Sequence, residues 1–300
     1  MSILAAPSSK RLGRDGPSIG PIAWGMWRLS GSTRETAHLV HAALENGLNL
    51  LDTADIYGFD GSEGFGAAEK LLGDVLAAEP GLRSQMVLAT KGGIQPGVPY
   101  DQSAAYLAHA IDQSLQRLRT DHIDLYQVHR PDILTHPEEL AKTLSSAVRA
   151  GKIRKLGVSN FTPAQVEALS HFLDLPLVAT QPEISALRID AFDNGELDQA
   201  MRLGLVPLAW SPLAGGRLID PQTARERAVA AALDEVAREL GVSRSVAAYS
   251  WLMAHPAGIV PIVGSQKPER IAEAASAATV RWTRAQFYSV FEAARGEKLP

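Results

Sequence analysis

The 300-residue sequence has no cysteine. Disulfides and thiolate metal sites are therefore excluded, and a reducing compartment is permitted. Positive charge is not in surplus either: 29 Lys and Arg stand against 33 Asp and Glu, for a net charge of −4. That balance argues against a nucleic-acid-binding surface. No apolar run approaches the roughly 18 residues that mark a membrane span. The opening stretch "MSILAAPSSKRLGRDG" has too short an apolar segment for a leader, and its charges follow that segment. A cytoplasmic protein without a membrane partner is expected. His, Asp and Glu show no clustering at metal-ligand spacing, so no metal site is expected. Linkers, low-complexity tracts and charge blocks are missing as well.

What remains is an ordinary globular composition, 46% apolar and 21% charged. The length allows two domains or one large α/β domain. Eight short β-rich runs stand out: 22–29, 48–53, 86–91, 123–129, 156–159, 177–184, 205–211 and 259–264. Most are continuously apolar, as parallel strands covered on both faces are. Helical patterns lie between them. Leu107, Ile111, Leu115 and Leu118 share one helical face, as do Leu140, Leu144 and Val148 ahead of Gly151. Thr162-Pro163-Ala164-Gln165 reads as a capping box with proline at the first helical position. Val229, Leu233, Val236 and Leu240 form another stripe, closed by Gly241. The alternation predicts a parallel (β/α)₈ TIM barrel, with a doubly wound open sheet as the rival. The segment Lys10–Gly20 carries two turn signals and is predicted to be a short hairpin closing the barrel bottom. The loop 213–223 and the tail after Trp282 are each long enough to fold over a ligand.

In such a barrel the chemistry sits where the strands end. Read in order, those ends deliver Asp52, with Tyr57 in the next loop, then Lys91, His129, Ser159-Asn160, Gln181, Trp210-Ser211 and Gly264-Ser265. Singly, each has an ordinary explanation: Asp52 an N-cap, Tyr57 a packed aromatic, Lys91 a snorkelling cation, His129 one of eight histidines. Together they suggest a proton donor. A phenol with an ordinary pKa of about 10 needs help to release its proton. The Lys91 ammonium would stabilise the phenolate and lower that pKa. Asp52 would keep the buried lysine charged. His129 would orient a substrate oxygen.

The motifs "LDTADIYG", "LATKGG", "DLYQVHRPD", "GKIRKLGVSNF", "AWSPLAGG" and "VPIVGSQKPERIAEA" occur in this order across nearly the whole chain. In them the sequence resembles the aldo-keto reductase family. The resemblance implies one (β/α)₈ domain over residues 1–300 that binds NADPH, in preference to NADH, without a Rossmann fold. Gly64-Phe65-Gly66 lacks both the third glycine and the preceding strand of a Rossmann fingerprint. The resemblance also implies reduction of an aldehyde or ketone by hydride transfer, through Asp52, Tyr57, Lys91 and His129, with Tyr57 as general acid. Cofactor contacts would come from Gly25, Met26, Trp27, Asp52, Ser159, Asn160 and Gln181, with Trp210 stacking on the nicotinamide. Ser211, Pro212, Leu213, Gly215 and Arg217 would cover the pyrophosphate. Gly264, Ser265, Lys267 and Arg270 would hold the adenosine end. Trp210 stands where many relatives have tyrosine or phenylalanine, and Ala274 after Glu273 where asparagine is frequent. Trp27, Tyr57, His129 and Arg130 are the candidate substrate contacts. Met26 and Ile56 are further candidates. Phe287, Tyr288 and Phe291 fit a terminal helix better than a pocket. Arg130 suggests an anionic or strongly polar carbonyl compound. A monomer is expected, and the rival reading is a cofactor-binding sensor with little turnover.

Overall fold

The computed structural model describes residues 3–300 apart from Ala6 and Ser8, so part of the stretch read for a leader lies outside the described residues. Eight parallel strands close a barrel in sequence order: β1 Ala23–Gly25, β2 Leu50–Asp52, β3 Val87–Gly92, β4 Ile123–Val128, β5 Ile153–Ser159, β6 Leu177–Gln181, β7 Val206–Ala209 and β8 Val260–Val263. Closure runs through β8 and β1, with Ile262 opposite Ala23 and Val263 opposite Trp24. Each of the eight sequence runs overlaps a barrel strand, although the fifth strand begins three residues before its run and the third ends one residue after its run, and the open-sheet alternative is excluded by that closure.

Among the described residues, ten α-helices accompany the strands: α1 Thr33–Glu45, α2 Ala67–Ala78, α3 Ala104–Leu118, α4 Pro137–Arg149, α5 Pro163–Phe172, α6 Glu196–Leu203, α7 Ala224–Leu240, α8 Arg244–Met253, α9 Pro268–Ala275 and α10 Arg284–Arg295. The stop signals work as their chemistry requires. Thr162 and Gln165 form the reciprocal capping box of α5. Gly241 ends α7 at φ 67°, a left-handed conformation that favours glycine. The helices α7 and α10 pack on each other.

Two apolar layers result. One lies between strands and helices. The other fills the barrel interior, where Leu50, Leu125, Val178, Leu208, Val260 and Ile262 alternate with Ala23, Ala89 and Ala179. Leu12 and Ile19 belong to this inner layer. They sit on the predicted hairpin, in which Lys10–Arg11 pairs with Ser18–Ile19. Its turn presses on the floor: a Cβ on Gly13 would come within 2.7 Å of Val178 Cγ1. The tail after Trp282 does not border the cavity at the C-terminal strand ends and forms the terminal helix that its aromatics suggested. Arg281–Thr283 pairs antiparallel with Ile3–Ala5, and α10 follows. Phe287 of α10 stacks on Trp251 at 5.1 Å between ring centroids, so the tail aromatics serve packing. Among the described residues, no helix is long and apolar enough to cross a membrane.

Candidate active site

A cavity of about 840 Å³ opens at the C-terminal ends of the strands. The ladder pairing continues past several strand ends and fixes the backbone there. Met26 N–H donates to Asp52 O at 2.9 Å, Asp55 N–H to Lys91 O at 3.0 Å, and His129 N–H to Gly92 O at 2.9 Å. Adjacent strands therefore present consecutive side chains to one space.

At its centre the Lys91 ammonium, fully buried, uses all three donors. It bonds Asp52 Oδ2 at 2.7 Å, Thr53 O at 2.9 Å and Tyr57 Oη at 3.0 Å. Asp52 Oδ1 in turn accepts from Gln127 Nε2 at 3.2 Å and Gln181 Nε2 at 3.1 Å. Four strands thus converge on one carboxylate. The Tyr57 ring meets Trp27 edge-on at 5.2 Å and His129 at 5.8 Å.

The electrostatics differ in one respect from the sequence expectation. Burial pushes the Tyr57 phenol up, Lys91 opposes that shift, and the result stays above the usual tyrosine value. The expected net lowering does not occur, because desolvation of the phenolate outweighs one ammonium that is already shared with Asp52. Burial pulls the Lys91 ammonium down, but Asp52 and Tyr57 outweigh it and hold it above its ordinary value. Burial, then the charges of Lys91 and Arg130, push His129 well below its usual value, so its imidazole is neutral.

The cavity wall contains Gly25, Trp27, Asp52, Tyr57, His129, Arg130, Ser159, Asn160, Gln181, Trp210, Ser211, Pro212, Leu213, Gly215, Gly264, Ser265 and Arg270. Lys91 stands directly behind it. Three expected cofactor residues are not part of that wall. Met26 is buried in the strand–helix layer. Arg217 bends back to Ala214 O at 3.0 Å, with Glu226 at 3.5 Å. Lys267 is the exposed N-cap of α9, adjoining Ser265. Ile56 packs against the outer layer. The loop 213–223 does border the cavity, through Leu213, Gly215, Gly216, Ile219 and Asp220. Across from it, Arg28 donates to Gly215 O at 3.5 Å.

Sequence reasoning missed Gln127, Arg28, Asp220, Ser243, Ser245 and Tyr249. Only Gln127 left a usable signal. It stands two residues before His129 on one strand and so shares its face. The others lie on loops and helices where no periodicity points inward.

Asp55, next to this site, is fully buried and neither carboxylate oxygen has a partner among the described residues. Burial, then the charge of Glu69, push its carboxyl well above the usual value, against Arg117 and Lys91. The folded state therefore keeps it neutral where the unfolded chain ionises it. That costs stability above the unfolded pKa of about 4 and nothing below it. Asp55→Asn should gain in Tm over the native protein as pH rises from 4 to 8; a constant difference in pH-dependent melts would contradict this.

Residues 21–294 match the model of the Aldo/keto reductase family. The chain belongs to the aldo/keto reductase family. It is 67% identical over 297 residues to a 6-dehydroglucose reductase of Novosphingobium aromaticivorans, covering 98% of each chain. A 6-dehydroglucose reductase of Agrobacterium fabrum is 37% identical, covering 94% of this chain and 96% of that one. Among solved structures, the glycerol dehydrogenase of Gluconobacter oxydans superposes with a TM-score of 0.84 at 26% identity, covering 98% and 97%. As a member of this aldo/keto reductase family, the chain is an oxidoreductase of the carbonyl-reducing kind.

Proposed function

We propose that this protein reduces a sugar aldehyde, with 6-dehydroglucose as the first candidate, at the expense of NADPH, and that Tyr57 is its general acid. The observation that carries the reading is the 3.0 Å contact between Lys91 Nζ and Tyr57 Oη, with Asp52 at 2.7 Å on the same ammonium. The substrate class is taken from the 67% identical relative, which is a 6-dehydroglucose reductase.

The cavity fits a nicotinamide dinucleotide. Its volume of about 840 Å³ is within the range of small-molecule and cofactor sites. Gly215, Gly216 and Gly264 line it, and a Cβ on any of them would meet no protein atom within 4 Å. Backbone amides there are open to a close approach. Ser159, Asn160 and Gln181 would hold the carboxamide, and Trp210 the ring. Ser265, Arg270 and the adjoining Lys267 would hold the 2′-phosphate, which favours NADPH. Arg270 and Lys267 form no salt bridge among the described residues. Guanidinium and ammonium groups suit a phosphate by fork geometry and point charge.

When bound, NADPH supplies a hydride to the carbonyl carbon. The protein's own task is the oxygen. Neutral His129 can donate one N–H to it and fix its direction. Tyr57, protonated at neutral pH, delivers a proton as the oxygen becomes an alkoxide, a far stronger base than a phenolate. Lys91, held charged by Asp52, then stabilises the phenolate that is left. Buried donors of this kind act without reorganising at the moment of reaction.

The test is the loss of absorbance from NADPH and from NADH with 6-dehydroglucose and a panel of simple aldehydes. Consumption of NADPH with the sugar aldehyde supports the reading. Binding of NADPH without consumption across the panel would favour a sensor instead.

Arg130 borders the substrate end of the cavity and has no salt-bridge partner among the described residues. Its backbone carbonyl accepts from the buried Gln102 amide, which anchors the residue. Its guanidinium would hold the oxygens of a polar or anionic substrate. Arg130→Ala is expected to raise KM for a polyhydroxylated or carboxylate-bearing aldehyde about tenfold, as one hydrogen bond to a charged group is worth. Neutral apolar aldehydes should change far less. Equal changes for both classes in steady-state kinetics would remove Arg130 from substrate binding.

A further inference from the structure

The cavity wall carries a polar link that no expectation for Trp210 included. Its indole Nε1–H donates to Asn160 Oδ1 at 3.0 Å, across 50 residues of sequence. Asn160 Nδ2 donates to His129 O at 3.0 Å and to Ser159 Oγ at 2.9 Å. Ser159 Oγ–H donates in turn to Gln181 O at 2.8 Å. Gln181 Nε2 reaches Asp52 Oδ1. An unbroken set of contacts therefore joins Trp210 to the carboxylate beneath Lys91.

The direction of the Asn160 amide is fixed from two sides. An indole N–H can only donate, so it must face the amide oxygen. A backbone carbonyl can only accept, so His129 O must face the amide nitrogen. A flipped amide would set donor against donor and acceptor against acceptor. The backbone of Asn160 is also constrained, at φ 59°, in the left-handed region where asparagine is among the few tolerated residues. Neither tyrosine nor phenylalanine has a donor at the indole nitrogen's place.

We propose that Trp210 is a positioning residue: its indole N–H locks the Asn160 amide, and through it sets how the nicotinamide end of the cofactor is held relative to His129 and Tyr57. This rests on the nicotinamide reading above. The ring face of Trp210 can stack, but the ring alone does not supply the lock.

Trp210→Phe separates the two, keeping an aromatic face and removing the N–H. Titration calorimetry should show NADPH binding about fivefold to tenfold weaker, the size of one neutral hydrogen bond. The rate of hydride transfer in single-turnover mixing should fall at least as much, with KM for the aldehyde changed less than twofold. In the double variant Trp210→Phe, Asn160→Ala, the losses should not multiply, because both changes break one unit. Unchanged NADPH affinity in Trp210→Phe, or losses that multiply, would overturn the proposal. A native protein that binds neither NADPH nor NADH overturns the cofactor reading itself, which is a different result.

A second measurement needs neither turnover nor the Trp210 variant. The chain has five tryptophans, and the indole N–H groups of Trp24, Trp210, Trp251 and Trp282 each have an acceptor. With ¹⁵N-labelled tryptophan, Asn160→Ala should shift one indole signal markedly and speed its hydrogen exchange. If all indole signals stay in place, the lock does not exist.

Discussion

Tyr57→Phe is expected to lower carbonyl reduction by about 10²–10⁴-fold, the usual contribution of a positioned acid. NADPH binding and the melting temperature should change little. The phenol hydroxyl makes one bond within the protein, to an ammonium that keeps Asp52 and Thr53 O as partners. Removing it leaves Lys91 paired. The ring keeps its edge contacts with Trp27 and His129. A loss confined to the chemical step, seen as lower kcat with unchanged NADPH affinity, is the signature. Native-like rates in this variant would take Tyr57 out of the reaction. Because the phenol sits above its ordinary value, the acid limb of activity should not come from Tyr57. The loss of the proton donor belongs on the alkaline side of the pH profile.

Asp52→Ala should have the larger effect on the fold. It strips the carboxylate from a fully buried ammonium and takes one acceptor from each of two glutamine amides, of which Gln181 keeps Gln127 Oε1. Breaking a buried pair from one side costs about 3–5 kcal/mol. In a chain of this size that is a fall in Tm on the order of 10 °C. Activity should vanish as well, since an unpaired buried lysine tends to lose its proton. The double change Asp52→Leu with Lys91→Met separates these effects. It replaces the pair by apolar groups, so most of the stability should return while the activity does not. A Tm within a degree of native for Asp52→Ala, measured by calorimetry, would mean that Lys91 is held by other means.

The barrel was legible because most strands are continuously apolar and all but the first bring a polar residue within two positions of their end. That pattern has a single cause: the middle of each strand is covered on both sides, and its end meets the cavity. Asp52, Lys91 and His129 were found in this way, and Tyr57 through the loop that follows. The inward turn of Gln127 was available from its two-residue offset to His129. The terminal helix was legible in the spacing of Phe287 and Phe291, but its partners, Trp251 and Phe192, were not, because they lie far off in the sequence. Nor was the state of Tyr57. A sequence shows which charges can lie near a phenol, but the balance between burial and a shared ammonium depends on distances such as the 2.7 Å that commits Lys91 to Asp52. Met26, Arg217 and Lys267 illustrate a further limit. Strand alternation puts Met26 on the outward side with Trp24, opposite the inward Ala23, so its place in a cofactor motif did not make it a wall residue. Arg217 has a stem long enough to turn back to Ala214 O, and Lys267 adjoins the wall from the exposed start of α9.

The stopper formed by Leu12 and Ile19 gives the barrel a sealed floor. On the proposed reading, cofactor and sugar aldehyde would then share one doorway, the open C-terminal mouth of the barrel. Changes to the floor are then expected to alter how firmly the vessel holds together and to leave that doorway as it is.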